Sequence, residues 1–150
     1  MQIVIISLWM LHGILMFFDE FHYHHRRGLG RWESVGHPVD TLLFLSCFIY
    51  ALVVNPAHII GFIVLAVLST LIITKDEFVH AQQCRGGEQW LHALLFSIHP
   101  VALIGLYMAW TRGWRLLVAV QACVIVLFGI YQIVYWNVWK VKKGEGPESA

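Results

Sequence analysis

Two stretches, DEFHYHHRRGLGRWESVGHP at residues 19–38 and DEFVHAQQCRGGEQWLH at residues 76–92, follow a common pattern. Each begins with Asp-Glu-Phe, has a histidine a few residues later, turns at Arg-Gly with another glycine nearby, and then gives Glu-x-x-x-His. The glycines suit a tight connection between two helices, because glycine adopts backbone conformations that other residues avoid. The pattern therefore predicts two helical hairpins that carry acids and histidines around their tips.

The sequence around these stretches is typical of an integral membrane protein. Of the 150 residues, 59% are hydrophobic and 13% are charged, against about 45–50% and about 25% in soluble domains. A block of about 18 apolar residues is long enough to cross a bilayer. Five segments meet this description, at about residues 3–18, 39–54, 57–74, 91–110 and 115–139. The net charge of +1 does not indicate nucleic acid, and the partner we expect is the lipid bilayer.

The order of the segments predicts one all-α membrane domain over residues 1–143 with an internal repeat. Repeat 1 covers about residues 3–54 and repeat 2 about residues 57–110, and both enter and leave the membrane in the same sense, as parallel repeats do. We expect the two hairpins to form a four-helix bundle. The fifth helix, at residues 115–139, is expected to cover the bundle or to form a homodimer contact, and residues 144–150 are expected to be a disordered tail.

The distribution of lysine and arginine predicts the orientation in the membrane. Only Arg112 and Arg115 lie on the face away from the two motifs, whereas eight basic residues lie on the motif face: Arg26, Arg27, Arg31, Lys75, Arg85, Lys140, Lys142 and Lys143. Cytoplasmic loops carry the excess of positive charge. We therefore expect the N-terminus outside, and the motifs and the C-terminus in the cytoplasm. The four motif arginines are expected to contact lipid phosphates.

Glutamate and histidine share a face on each predicted motif helix, since residues three or four apart lie side by side. In an antiparallel hairpin, residues at equal height have a constant index sum. Glu20 with His37 and His24 with Glu33 meet this condition, and the pairs of the second hairpin meet it to within one residue. Two facing hairpins would gather eight candidate metal ligands: Glu20, His24, Glu33, His37, Glu77, His80, Glu88 and His92.

Clustered carboxylates near lipid are costly unless cations neutralise them. Mixed carboxylate and imidazole ligands suit iron, manganese or zinc better than calcium or magnesium. Asp76 is an alternative to Glu77, because it lies four residues before His80. Asp19 and Asp76 are also candidates to accept hydrogen bonds from the ligand imidazoles. Cys47, Cys84 and Cys123 share no metal-binding spacing, so we expect them to be packing residues.

The ligand pattern resembles that of the ferritin-like di-metal carboxylate proteins, in which two helices supply Glu and two supply Glu-x-x-His. The corresponding elements here are Glu20, Glu33-x-x-x-His37, Glu77 and Glu88-x-x-x-His92, with His24 and His80 as additional ligands. The spacing is four rather than three, and the resemblance covers residues 19–37 and 76–92. It implies a centre of two transition-metal ions, with iron expected first and manganese or zinc as alternatives.

These observations predict a membrane-embedded di-metal oxidoreductase that acts on a lipid-soluble substrate, with its catalytic residues unassigned. The alternatives are a zinc-dependent lipid hydrolase, a non-enzymatic metal transporter or sensor, and a b-type haem protein. The haem alternative rests on His12 and His99, which lie about seven residues from the motifs and so roughly 10 Å deeper in the membrane. These histidines are also candidates to line a substrate channel or to form a hydrogen bond between helices.

Overall fold

A computed structural model describes residues 1–84 and 86–140, and no strand occurs among them. Five helices are long and apolar enough to cross a membrane. This confirms the predicted all-α chain with five candidate spans. The helices are α1 (Gln2–Arg27), α2 (Arg31–Val53), α3 (Pro56–Lys75), the short α4 (Glu77–Gln83), α5 (Gly86–Thr111) and α6 (Arg115–Trp139). The predicted disordered tail at residues 144–150 lies outside the described residues.

The two helices of the first hairpin extend further into the motif than the apolar blocks predicted. α1 continues to Arg27, because no helix breaker precedes Gly28, whose φ of 80° ends the helix. α2 begins at Arg31, where the Gly30 N–H donates to the Glu33 carboxylate at 3.4 Å. The polar residues of the motif therefore lie on helices, and the tip of the hairpin is a three-residue connection.

The two copies of the motif have different helical geometry. Residues Asp19–His24 form a π-helical turn within α1, whereas Ile73–Asp76 form a 3-10 turn that leads into α4. The first copy has one residue more between its Asp and its inner His than the second copy has. A π-helical turn, with its wider i→i+5 hydrogen bonds, accommodates such an additional residue. The two Asp-Glu-Phe sequences therefore enter their helices with different rotational phases.

The apolar core fills the half of the molecule away from the motifs. Its members are Ile5, Trp9, Phe44, Cys47, Phe48, Ala51, Phe62, Ala102, Leu103, Leu106, Ala109, Trp110, Val118, Ala122 and Ile125. Two tryptophans tie it together across helices: Trp9 Nε1–H donates to the Ala102 carbonyl at 3.1 Å, and Trp110 Nε1–H donates to the Val54 carbonyl at 3.0 Å. The motif half, in contrast, is polar.

The fifth long helix is an integral part of the packing. α1 packs along α5, and α6 packs along α2, which also contacts α3. Polar contacts join α6 to α2: the Thr41 hydroxyl donates to Gln132 at 2.7 Å, and the Asn137 amide donates to the Ser34 carbonyl at 2.8 Å. The four-helix bundle of parallel repeats stays a prediction.

Candidate metal centre

Most of the predicted ligands are withdrawn from solvent at the motif end of the helices. Glu20, His24, Glu33, His80, Glu88 and His92 are buried, and His37 is half-buried. Glu77, in contrast to the buried position expected for a member of this cluster, is exposed. The 3-10 turn before α4 turns Glu77 outward, whereas the π-helical turn of α1 turns Glu20 inward. The side chain of Asp76, the alternative ligand, lies outside the described part of the chain.

Three groups of donor atoms are close enough to hold metal ions. Within each group the donor atoms lie within 4.8 Å of one another; the groups are His24, Glu33 and His37; His80, Cys84 and His92; and Asp19, His24, Glu88 and His92. Two donor atoms that each lie about 2.0–2.3 Å from one ion are at most about twice that distance apart. The spacing within each group is therefore close to what one ion requires. The first two groups share no residue and come one from each hairpin. The third joins the two hairpins.

Direct contacts join the two hairpins. The Asp19 carboxylate lies 2.8 Å from His92 Nε2, and the Glu33 carboxylate lies 3.3 Å from His80 Nε2. The rings of His80 and His92 stack with centroids 3.9 Å apart. Asp19, predicted to accept a hydrogen bond from a ligand imidazole, does so and is also a member of a donor group. Residues from both copies of the motif therefore meet in one volume.

The imidazole nitrogens provide a test of whether these residues fit a metal. Among the residues that the structure describes, the buried ring nitrogens of His24 and His80, and Nδ1 of His92, have no hydrogen-bond partner. The carboxylates of Asp19 and Glu33 lie 3.4 Å from His24 Nε2 and 3.3 Å from His80 Nε2 without forming a hydrogen bond. Buried polar atoms without a partner are rare because they forfeit their hydration. Neutral imidazole nitrogen is a common ligand of transition metals. Metal binding would satisfy these atoms, so the donor set fits a transition-metal centre.

Arg27 is a member of this cluster. Its guanidinium donates two hydrogen bonds to Glu33, at 2.9 and 2.7 Å, and one to Glu88 at 3.2 Å. This contradicts the expectation that Arg27 contacts lipid phosphate, because a bidentate ion pair with a buried carboxylate occupies its donors. Four buried carboxylates, those of Asp19, Glu20, Glu33 and Glu88, exceed the charge of one guanidinium. The remaining negative charge favours further cations.

Glu20 and Cys84 have roles that the sequence did not show. Trp136 Nε1–H, on α6, donates to Glu20, whose other oxygen lies 3.7 Å from His24 Nδ1. Glu20 thereby helps to position His24. Cys84, predicted to be a packing residue, lies among metal donors. Burial, and then the Glu88 carboxylate, raise the pKa of the Cys84 thiol to about 12, so without a metal it is neutral at pH 7. A spacing of four residues places Glu20 on the face of His24 and Cys84 on the face of His80, but spacing alone shows neither the Trp136 contact nor the place of Cys84 among the metal donors.

A chain of hydrogen bonds lies next to the motif residues, on the side of the apolar core. The Ser69 hydroxyl lies 2.9 Å from His99 Nε2, and His99 Nδ1 lies 3.3 Å from His12 Nε2. All three residues are buried. Axial haem ligands stand on opposite faces of a porphyrin, whereas these two imidazoles contact each other directly. Their arrangement fits the predicted hydrogen bond between helices and counts against the haem alternative.

One cavity is lined by candidate metal donors, and a second, mostly apolar cavity adjoins it. The smaller, of about 60 Å³, is lined by the donors Asp19, His37, His80 and His92 and by the deeper pair His12 and His99. The larger, of about 430 Å³, lies between α1, α2 and α6 and is mostly apolar. Both are lined by His12, Met16, Asp40, Ile73 and His99, so the two cavities adjoin.

Comparisons with known proteins gave no match: no protein-family model, no curated protein sequence and no solved structure matches this chain.

Replacing Arg27 with methionine should destabilise the metal-free protein. The change leaves Glu33 and Glu88 without their guanidinium, and breaking a buried ion pair costs about 3–5 kcal/mol. We expect a loss of stability near the lower end of this range, because the Arg27 side chain is 20% exposed to solvent. Thermal unfolding in detergent with a chelator measures the effect. Added divalent transition metal should restore most of the lost stability.

The matched control is Arg26→Met, which removes an exposed charge one residue away. Equal stability of the two variants in chelator would contradict the role that we assign to Arg27.

Proposed function

We propose that this chain is a membrane-embedded two-metal oxidoreductase that acts on a lipid-soluble substrate. The observation that carries the proposal is the presence of two donor groups without a common residue, one from each hairpin, in a buried volume next to an apolar cavity. The resemblance to the ferritin-like ligand pattern supports two ions, with iron expected first and manganese or zinc as alternatives. The matched positions of the two motifs favour hairpins related as parallel repeats in a four-helix bundle.

Each hairpin would supply ligands for one of the two ions. His24, Glu33 and His37 would hold one ion, and His80 and His92 would contribute to the other, with Asp19 and Glu88 lying between the hairpins. When bound, such ions supply Lewis-acid and one-electron chemistry. Asp19 accepts the hydrogen bond of His92 Nε2, which leaves Nδ1 of that ring with its free lone pair.

The cavities suggest how a substrate reaches the centre. An amphiphilic molecule would enter from the bilayer into the apolar cavity, with its polar end toward His12 and His99. The hydrogen-bonded chain of Ser69, His99 and His12 can donate to or accept from an uncharged polar group there. The smaller cavity leads on to the metal donors. We therefore expect the substrate to be a lipid-soluble molecule with a small hydrogen-bonding head group.

A metal transporter would need polar ligands along a path through the whole membrane. Beyond the His12 and His99 pair, the described residues form the apolar core, in which Cys47, Phe48 and Leu106 have no exposed surface. This closed core favours an enzyme over a transporter.

Metal analysis tests the proposal directly. We expect the purified wild-type protein to bind about two transition-metal ions per chain, as ferritin-like centres do. The double variant Glu33→Gln/Glu88→Gln should bind fewer than about one ion, because it removes an anionic donor from each of two donor groups. Elemental analysis by mass spectrometry, together with far-ultraviolet circular dichroism to verify folding, provides the measurement.

Glu77→Gln is the matched control, since it makes the same chemical change in the same motif at an exposed position. It should keep the wild-type metal content. A metal-free wild-type protein would refute the proposal. If the purified protein contains zinc but neither iron nor manganese, the oxidoreductase is rejected in favour of the zinc-dependent lipid hydrolase.

Filling the apolar cavity tests the route of the substrate. A Cβ at Gly13, which lines the cavity, meets no other atom within 4 Å. Gly13→Phe should therefore place a ring in the cavity without displacing its neighbours. The probe is a long-chain alcohol that carries a photoreactive diazirine. We expect its labelling of cavity residues to fall at least about tenfold, which corresponds to a loss of about 1.4 kcal/mol in binding free energy.

Leu11→Phe, at an exposed position outside the cavity lining, provides the control. Both variants should keep their bound metal. Gln121 and Phe128 line the cavity. If their labelling is unchanged in the Gly13→Phe variant, this cavity is not where the alcohol binds.

The excess of basic residues on the motif face supports a cytoplasmic metal centre. An epitope tag after Ala150 should be protected from antibody in intact cells and become accessible after permeabilisation, whereas a tag before Met1 should be accessible in both. The reverse pattern would place the metal centre outside the cell.

A further inference from the structure

Cys84 follows α4 on the second hairpin and lies beside the candidate metal centre. Its backbone N–H donates to the His80 carbonyl at 2.9 Å, so His80 and Cys84 are one helical turn apart on the same face. The Cys84 sulfur and the donor nitrogens of His80 and His92 lie within 4.8 Å of one another. His80 lies on α4, His92 lies on α5, and Cys84 is the residue that follows α4.

The two imidazoles are the independent observation that points to a ligand at this place. His80 and His92 are 2% and 3% exposed. Within the described part of the chain, both buried ring nitrogens of His80, and Nδ1 of His92, lack a hydrogen-bond partner, although the Glu33 carboxylate lies 3.3 Å from His80 Nε2. The rings stack with centroids 3.9 Å apart, and one ring nitrogen of each lies within 4.8 Å of the other and of the Cys84 sulfur. A cysteine that only fills space does not explain why these nitrogens lack partners. A metal ion bound to Cys84 would explain it, because the nitrogens would bind the same ion.

We infer that Cys84, together with His80 and His92, binds one of the two metal ions through its sulfur, so that the two ions have different donor sets. The inference rests on the proposed two-metal function. The other group, His24, Glu33 and His37, has a carboxylate in place of a thiolate. The centre is therefore unsymmetrical although the two motifs resemble each other.

The different donors predict different preferences for metals. Thiolate is a soft ligand that favours zinc, copper(I) or iron, whereas carboxylate favours harder ions such as manganese and iron(II). Binding at Cys84 breaks the S–H bond, forms a metal–sulfur bond and releases one proton to water. The half-buried position of Cys84 leaves its sulfur reachable by an arriving ion.

Cobalt(II) titration of the purified protein in detergent tests the inference. Thiolate bound to cobalt gives an intense charge-transfer absorption in the near ultraviolet, which imidazole and carboxylate ligands lack. We expect this absorption in the wild-type protein and its loss in Cys84→Ser. The affinity for the second cobalt ion should fall at least about tenfold. Cys123→Ser, a change at an exposed cysteine on α6, should keep both the absorption and the affinity.

Alkylation of the wild-type protein provides a second measurement that needs no variant. Because a metal-bound thiolate cannot react with iodoacetamide, zinc or cobalt should slow the alkylation of Cys84 at least about tenfold. The rate at Cys123 should stay unchanged. Mass spectrometry of peptides distinguishes the two sites.

The outcomes separate the two proposals. If the wild-type protein binds cobalt without the charge-transfer absorption, or if Cys84→Ser retains that absorption, the thiolate ligand is refuted and the two-metal function stands. If the wild-type protein binds no transition metal, both proposals fail.

Discussion

The structure of the motif half of this protein depends on how the negative charges of its buried carboxylates are neutralised. Glu33 and Glu88 share one guanidinium, that of Arg27, which forms a bidentate pair with the first and a single hydrogen bond with the second. Such charges are tolerated near lipid only when they are paired. The same requirement draws α1 and α5 together, since the Asp19 carboxylate on one helix lies against His92 on the other. A site that gathers more acid than arginine is suited to metal cations.

The two copies of the motif reach this site by different helical geometry. The π-helical turn of α1 directs Asp19, Glu20 and His24 inward together, whereas the 3-10 turn before α4 leaves Glu77 exposed. Turns of π-helix frequently mark functional sites. Similar sequence motifs therefore produce a site with two unlike halves. This asymmetry is the structural basis for proposing two ions with different donors.

The two ends of the molecule have separate tasks. At one end, tryptophan hydrogen bonds and close apolar packing hold the helices in fixed positions, which keeps the metal donors at fixed separations. At the other end, carboxylates and imidazoles surround a small cavity, and several of the imidazole nitrogens have no hydrogen-bond partner among the described residues. The larger apolar cavity adjoins it, beside His12 and His99. Rigid scaffold, polar centre and apolar cavity are the three features on which the proposed function rests.

The all-α class and most members of the donor groups could be predicted from the amino-acid sequence. Apolar blocks predict helices long enough to cross a membrane because the bilayer sets their length, and the Glu–His spacing pointed to His24, Glu33 and His92, which lie in the donor groups, because helical neighbours share a face. The positions of Asp19, Arg27 and Cys84 in the cluster, and the exposed position of Glu77, became apparent from the packed helices. One residue of helical phase rotates a side chain by about 100°, and a local π or 3-10 turn changes that phase without an unambiguous sequence signal. Contacts between helices, such as Trp136 with Glu20, depend on packing that spacing within one helix does not encode.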